Sequence, residues 1–152
     1  MTPRRWVRIA IAITLGAALA ATLPALPAVS QQSPPPPMVE IADTATLAAR
    51  GAAVLVTVTV TCPADSDFTQ LFVSVSQRRG GRVAAGSGFL SEFTCTGEPQ
   101  EITVPVLAFG APFRAGVAFA TVELFVCGPF FCESVTDAEE ITIVRADTAA
   151  AA

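Results

Sequence analysis

Four cysteines, Cys62, Cys95, Cys127 and Cys132, are the residues of this chain best suited to chemistry. They can form disulfides or bind a metal, and the Cys-x4-Cys spacing of the last pair is compatible with either. A secretory signal at the N-terminus favours disulfides, because exported proteins meet an oxidising compartment. The sequence therefore predicts two disulfides, no metal site and no cofactor.

The amino-acid composition excludes most catalytic mechanisms. The 152 residues contain no His, Lys, Tyr or Asn, so a histidine base, a lysine Schiff base and a P-loop lysine are all excluded. Glutamates remain, but a glycosidase needs two carboxylates about 5–10 Å apart across a cleft. No spacing in the sequence indicates such a pair, and we expect a protein that is not an enzyme.

The N-terminus has the pattern of a secretory signal-peptide helix. The basic segment holds three arginines, Arg4, Arg5 and Arg8. The uncharged run Ile9–Leu23 follows, and it is short for a membrane span of about 20 residues. We expect cleavage after Ser30, so that residues 1–30 are removed; cuts after Ala28 or Ala20 and the choice between Sec and twin-arginine export stay open.

Cleavage makes the mature protein more acidic. Six arginines and thirteen acids remain, for a net charge of −7. Nucleic acids and anionic lipids attract basic proteins, so we expect neither as a partner, and no membrane span after cleavage.

Residues 31–37 read QQSPPPP and predict a polyproline spacer. Residues 38–146 form the predicted domain, and residues 147–152 are expected to be a disordered tail.

The domain alternates apolar and polar residues with the period of a half-buried β-strand. The clearest run, Val54–Cys62, places four valines on one face and threonines on the other. Gly80 and Gly81 predict a tight hairpin between two such runs. Gly86 and Gly88 in the returning strand predict either a bulge or close backbone packing.

Further strands complete an all-β pattern. They are predicted over Val39–Leu47 with a break at Asp43, Phe68–Gln77, Val83–Cys95, Ile102–Val106, Val117–Cys127 and Glu140–Arg145. About seven short strands, with turns roughly every ten residues, are typical of a single immunoglobulin-like antiparallel β-sandwich.

All four cysteines fall at one end of such a sandwich. Four cysteines allow three pairings. We prefer the local pairs Cys62–Cys95 and Cys127–Cys132, because the last two bracket a short loop; in the loop-entropy model they contribute roughly 3–4 and about 2 kcal/mol. The crossed pairs Cys62–Cys127 and Cys95–Cys132 close longer loops and remain open.

The same end is the candidate binding tip. Phe130 and Phe131 lie between the last two cysteines, and Asp65 and Asp67 lie in a loop that the topology places nearby. Rigid aromatic residues beside acids are suited to recognition, although one or both phenylalanines could instead cap the core. Calcium needs six to eight oxygens, so the two acids predict a solvated turn.

The opposite end carries a basic hairpin, with Arg78, Arg79 and Arg82 around its two glycines. Charges at such a position keep an edge strand soluble. Binding of an acidic wall polymer is the alternative, which three arginines alone support less well.

With these residues placed, the chain resembles small secreted immunoglobulin-like proteins of actinobacteria, a group largely of unknown function. The resemblance covers Val39 to Val144. It rests on Val-Thr-Val-Thr-Cys at 58–62, the Gln77–Gly88 hairpin, Cys95-Thr96-Gly97 and the late Cys-x4-Cys. It implies a secreted or wall-associated β-sandwich. Our first hypothesis for its role is a non-enzymatic module that binds an extracellular protein or an envelope component.

A second, weaker resemblance is to the enediyne apoproteins of the neocarzinostatin type, which carry an apolar chromophore. It rests on the Cys-x4-Cys loop and the domain size, and departs in the first disulfide, which closes a shorter loop in that family. It implies a carrier of a small apolar ligand, in a cleft near Phe119, Phe125, Phe130 and Phe131. A secreted enzyme inhibitor that inserts Phe130 into its target is a further hypothesis.

Overall fold

The computed structural model describes residues 35–130 and 132–146, and these fold into seven β-strands. The strands are β1 Met38–Ala48, β2 Ala53–Thr61, β3 Phe68–Arg79, β4 Arg82–Ser91, β5 Gln100–Phe109, β6 Gly116–Cys127 and β7 Cys132–Arg145. One 3-10 turn, Ala49–Gly51, joins β1 to β2. The predicted all-β class is confirmed. The predicted signal peptide, residues 31–34 of the spacer and the tail lie outside the described residues.

All seven strands belong to one sheet, which closes into a barrel in the order β1-β2-β5-β4-β3-β6-β7. Neighbours are antiparallel except β7 and β1, which pair in parallel. Two contacts are short: β4–β5 has three residue pairs and β1–β7 has four, whereas every other neighbouring pair has eight or more. The two separate layers expected from the sequence are thus joined along both edges.

Two glycines of β4 allow the β4–β5 contact. Gly86 and Gly88 face inward, and a Cβ on either would overlap a carbonyl oxygen of β5, that of Leu107 or of Pro105. The β3–β4 register continues past both glycines without interruption. Of the two predicted explanations for these glycines, close backbone packing is therefore right and a bulge is wrong.

The core lies inside the closed sheet and is built from alternate residues of each strand. On β2 the four valines predicted to share a face, Val54, Val56, Val58 and Val60, are completely buried. The even-numbered residues of β6 and the odd-numbered residues of β3 complete most of this interior. Burying each valine stabilises the fold by roughly 1.5–3 kcal/mol relative to an exposed position.

The first strand gains a second partner at the predicted break. Its register with β2 shifts between Ile41 and Ala45, on either side of Asp43. The amide of Ile41 donates a hydrogen bond to Asp137 Oδ2 on β7 (2.9 Å). Beyond the break β1 also pairs with β7, which closes the sheet.

The last strand is longer than predicted. Residues 133–139 were not assigned to a strand, yet they pair with β6 over their whole length. Their acidic, weakly alternating sequence gives little local signal, and the ladder with β6 determines their conformation. Cys132 pairs directly with Cys127 and begins β7, so the two cysteines lie at the two ends of the connection between β6 and β7.

Candidate functional site

The disulfide end of the molecule carries the β2–β3, β4–β5 and β6–β7 loops. Cys62 is bonded to Cys95 and Cys127 to Cys132, which is the local pairing preferred from the sequence. The first bond ties the β2–β3 loop to the β4–β5 loop, and the second closes the loop 128–131. Both bonds restrain the chain where the predicted binding tip lies.

A main-chain hydrogen bond holds the β2–β3 loop against the end of β6. The amide of Asp67 donates to the carbonyl oxygen of Cys127 (2.8 Å). The hydroxyl of Ser66 donates to the carbonyl oxygen of Pro63 (2.6 Å) and closes a turn. Asp67 is therefore fixed through its backbone while its side chain is exposed.

Two of the four predicted tip residues line one hollow, which we call the tip hollow. Asp65 and Phe130 line it together with Glu133, and its volume is about 70 Å³. The remaining lining residues are Pro37, Pro63, Ser66, Val126, Gly128 and Pro129. Asp67 does not line it, and Phe131 lies outside the described residues. The hollow can take one small apolar group, and two of its lining residues, Asp65 and Glu133, carry carboxylates.

Phe130 projects from the molecule. Its side chain is 93% exposed, so it does not cap the core, which was one of the two alternatives. The Cys127–Cys132 bond restricts the loop that carries it. An exposed aromatic ring on a restrained loop loses little conformational freedom when it binds.

A second exposed surface, which the sequence did not indicate, lies on the outside of β3, β4 and β6. We call it the aromatic face and define it by Phe68, Phe72, Phe89 and Phe125. Phe72 and Phe89 are direct cross-strand partners and are 45% and 56% exposed. The rings of Phe68 and Phe125 meet edge to face, with centroids 6.2 Å apart. Contiguous exposed apolar surface of this kind is typical of interaction sites.

The aromatic face has a polar centre. An open hollow of about 270 Å³ is lined by Phe72, Phe89 and Phe125 together with Gln70 and Glu123. The carboxylate of Glu123 accepts a hydrogen bond from the Ser134 hydroxyl (2.8 Å). The surface thus combines large apolar rings with an oriented hydrogen-bond acceptor.

Three of the four phenylalanines expected to form one ligand cleft are distributed among three hollows, and the fourth, Phe131, lies outside the described residues. Phe125 lines the hollow of the aromatic face, and Phe130 lines the tip hollow. Phe119 lines a separate hollow on the outside of β6, beside Arg78 and Glu140. They do not share a single cleft.

The end opposite the disulfides is basic. It carries all six arginines of the described residues: Arg50, Arg78, Arg79, Arg82, Arg114 and Arg145. Antiparallel pairing brings the β3–β4 hairpin beside the β5–β6 loop, and the parallel pairing of β1 with β7 adds Arg50 and Arg145. The sequence indicated only the three arginines of the hairpin, because the other three come from distant segments.

Buried groups hold the β5–β6 loop at the basic end in place. Gln77, only 3% exposed, donates from Nε2 to the carbonyl oxygen of Arg114 (2.8 Å) and accepts at Oε1 from the Arg114 amide (2.9 Å). Arg79 Nη1 donates to the carbonyl oxygen of Pro112 (3.1 Å). Phe113 fills the interior beneath this loop, and its amide donates to the carbonyl oxygen of Gly51 (2.9 Å).

No protein-family model matches the chain, and a comparison with curated proteins also finds no match. Within residues 35–130 and 132–146, no three side chains of metal-ligating type come together. In the same ranges no helix is long and apolar enough to cross a bilayer.

Proposed function

We propose that this protein is a secreted, non-enzymatic interaction module, which binds an extracellular protein or a component of the cell envelope through its aromatic face. One observation carries the proposal: four phenylalanines lie together on the outside of the sheet, and three of them are exposed. Leaving such rings in water is unfavourable. A partner that covers them would remove this cost.

The composition of the aromatic face supports a protein-like partner. Aromatic residues are enriched in protein interfaces, where hydrogen-bonding groups at their edge fix the orientation. Here Gln70 and Glu123 lie among the rings, and Glu123 is oriented by Ser134. Such an arrangement favours a partner that offers both an apolar surface and a hydrogen-bond donor.

The immunoglobulin-like sandwich is part of the same proposal. Strands β1, β2 and β5 pair in one group, and β4, β3, β6 and β7 pair in another. This grouping is similar to the strand order of immunoglobulin-like sandwiches, and only the short β4–β5 and β1–β7 contacts join the groups. Domains of this class commonly act by recognition, which is consistent with the proposed role.

Secretion and an actinobacterial source also belong to the proposal. The two disulfides are consistent with an extracellular protein, because thiols stay reduced in the cytosol. The N-terminal signal pattern and the Lys-free, Ala-rich composition support export from an organism of high GC content. The domain limits 38–146, which come from the sequence, are part of the same proposal.

Paired variants test the aromatic face. Labelled mature protein is incubated with washed cells and with supernatant proteins of the producing organism. We expect Phe72→Ala/Phe89→Ala to lose at least tenfold in binding, as truncation of central aromatic contacts does. Phe109→Ala is the control, because Phe109 is an equally exposed phenylalanine on β5 outside the aromatic face. Equal binding by the double variant and the control would contradict the proposal.

A small apolar ligand is a second candidate, favoured by the hollow between Phe72, Phe89 and Phe125. Native and denatured mass spectra of protein from culture supernatant would show such a ligand as a mass difference. A ligand that is absent from Phe72→Ala/Phe89→Ala protein would make the chain a carrier.

The inhibitor hypothesis depends on Phe130, which projects from a disulfide-closed loop. It predicts inhibition of at least one member of a protease panel, with loss of inhibition in Phe130→Ala. No inhibition across the panel would remove it.

A further inference from the structure

The loops at the two ends of the molecule carry charges of opposite sign. The loops of the basic end hold arginines, and the connections 49–52, 80–81 and 110–115 contain no acid. The disulfide end has the opposite composition, with Asp65, Asp67, Glu92 and Glu98 in its loops and Glu133 at the start of β7. None of the described arginines lies there.

The two ends are too far apart to neutralise each other. The twelve residues of β6 run from one end to the other, which is about 40 Å at the usual rise of a strand. This distance is several times the Debye length of about 8 Å at physiological ionic strength. The two ends therefore do not neutralise each other, and apart from Glu140, which lies beside Arg78, each end is free to attract opposite charge on another molecule.

The basic end offers an open hollow, and the disulfide end offers a projecting aromatic ring. At the basic end, Arg50, Arg114 and Arg145 surround an open hollow of about 460 Å³, which Leu47 and Phe113 also line. At the disulfide end, Phe130 projects beside acidic side chains. An aromatic ring inserted among guanidinium groups gains both apolar contact and cation–π attraction.

Both surfaces are held in position before any contact forms. Gln77 forms hydrogen bonds with both the carbonyl oxygen and the amide of Arg114. A disulfide closes the loop that carries Phe130. Little ordering of the backbone is required on association, which favours binding.

We propose that this protein associates with a second copy of itself end to end, with the disulfide end of one copy on the basic end of the next and Phe130 in the arginine-lined hollow. The contact joins two different surfaces, so it leaves a free surface of each kind at the ends of the assembly. Such an interface extends into open chains rather than closing at a dimer, unless a rotation closes a ring.

Salt provides the first test. The mature chain is studied by sedimentation velocity at concentrations up to about 0.5 mM, which detects Kd values near 0.1 mM. At about 20 mM NaCl we expect the average sedimentation coefficient to increase with concentration. At about 500 mM NaCl we expect monomer, because the Debye length falls to about 4 Å. A monomer throughout this range at low salt would overturn the proposal.

Two variants remove one surface each. Phe130→Asp removes the ring while keeping the acidic character of the disulfide end, and Arg114→Glu/Arg145→Glu reverses charge at the hollow. Each is expected to reduce self-association at least tenfold. The matched control, Arg78→Glu/Arg82→Glu, makes the same charge change on the same end but outside the hollow; it is expected to keep most of the association.

Mixing the two variants gives the sharpest result. The Phe130→Asp protein retains a native basic end, and the Arg114→Glu/Arg145→Glu protein retains a native disulfide end. Together they are expected to form a dimer and no larger species, although each alone is monomeric. A mixture that stays monomeric would contradict the proposal.

The alternatives give different outcomes. Association that stops at a dimer in the unmodified protein and survives Phe130→Asp would indicate a different, two-fold interface. A monomer that binds polyphosphate in a manner dependent on Arg114 and Arg145 would assign the basic end to a polyanion instead. Because this contact uses neither Phe72 nor Phe89, its failure would leave the proposed function of the aromatic face untouched.

Discussion

The two ends of the closed sheet are stabilised in different ways, and a phenylalanine in a loop at each end shows the consequence. At the disulfide end, Cys127–Cys132 closes the loop covalently, and Phe130 is 93% exposed. At the basic end no disulfide holds the β5–β6 loop, and Phe113 is 1% exposed inside the sheet. Where the backbone is fixed by a covalent bond, the aromatic side chain is free to contact a partner. Where it is not, the aromatic side chain is needed for packing.

Reduction of both disulfides should have the largest effect on stability. The loop-entropy model assigns the two bonds about 4 and about 2 kcal/mol, so their joint loss should lower the free energy of unfolding by about 6 kcal/mol. Denaturant unfolding with and without a phosphine reductant measures this. Far-UV circular dichroism is the suitable signal, because the mature chain has no Trp or Tyr. An unchanged denaturation midpoint after reduction would contradict the claim that the disulfides stabilise their end of the molecule.

Phe113→Ala should come next. Removing a fully buried phenylalanine leaves a cavity and typically costs about 3–5 kcal/mol. Phe130→Ala is the matched control, with an expected change within about 0.5 kcal/mol because the ring contributes little to folding. The same unfolding experiment measures both variants. Similar losses of unfolding free energy in the two variants would contradict the claim that the phenylalanine is needed for packing at the basic end only.

Gln77→Leu should have a smaller but clear effect. The substitution keeps the size of the side chain but leaves the Arg114 amide and carbonyl without their buried partner. Unsatisfied groups of this kind cost roughly 1–3 kcal/mol. Gln70→Leu on the same strand serves as the control, since Gln70 faces outward and should change stability by less than about 0.5 kcal/mol. A neutral Gln77→Leu would show that the contacts of Phe113 and Arg79 hold the loop without Gln77.

Local patterns were sufficient to predict part of the fold. The alternation in Val54–Cys62 identified β2 and its buried face, since its period matches a strand and its residues are β-branched. The disulfide pairing could also be predicted, because Cys127 and Cys132 bracket a short loop. Residues 133–139 escaped prediction because their strand conformation depends on pairing with β6.

The surfaces depend on register and topology, which local patterns do not contain. Phe72 and Phe89 occupy outward positions where an apolar residue is unexpected, and they meet only because the Gly80-Gly81 hairpin aligns their strands. Arg50 and Arg145 join Arg114 through the parallel contact of β1 with β7. The candidate tip was easier to predict from the sequence, because the disulfides place Asp65 and Phe130 at the same end.

Covalent footprinting of the bound protein tests the central claim most directly. The mature chain is labelled with a photoactivated carbene reagent, free in solution and bound to the envelope or partner fraction, and the labelled peptides are identified by mass spectrometry. The account predicts that binding protects residues 68–72 and Phe89, while labelling of Phe109 is unchanged. Protection confined to another surface, or none at all, would contradict the assignment of the aromatic face as the binding site.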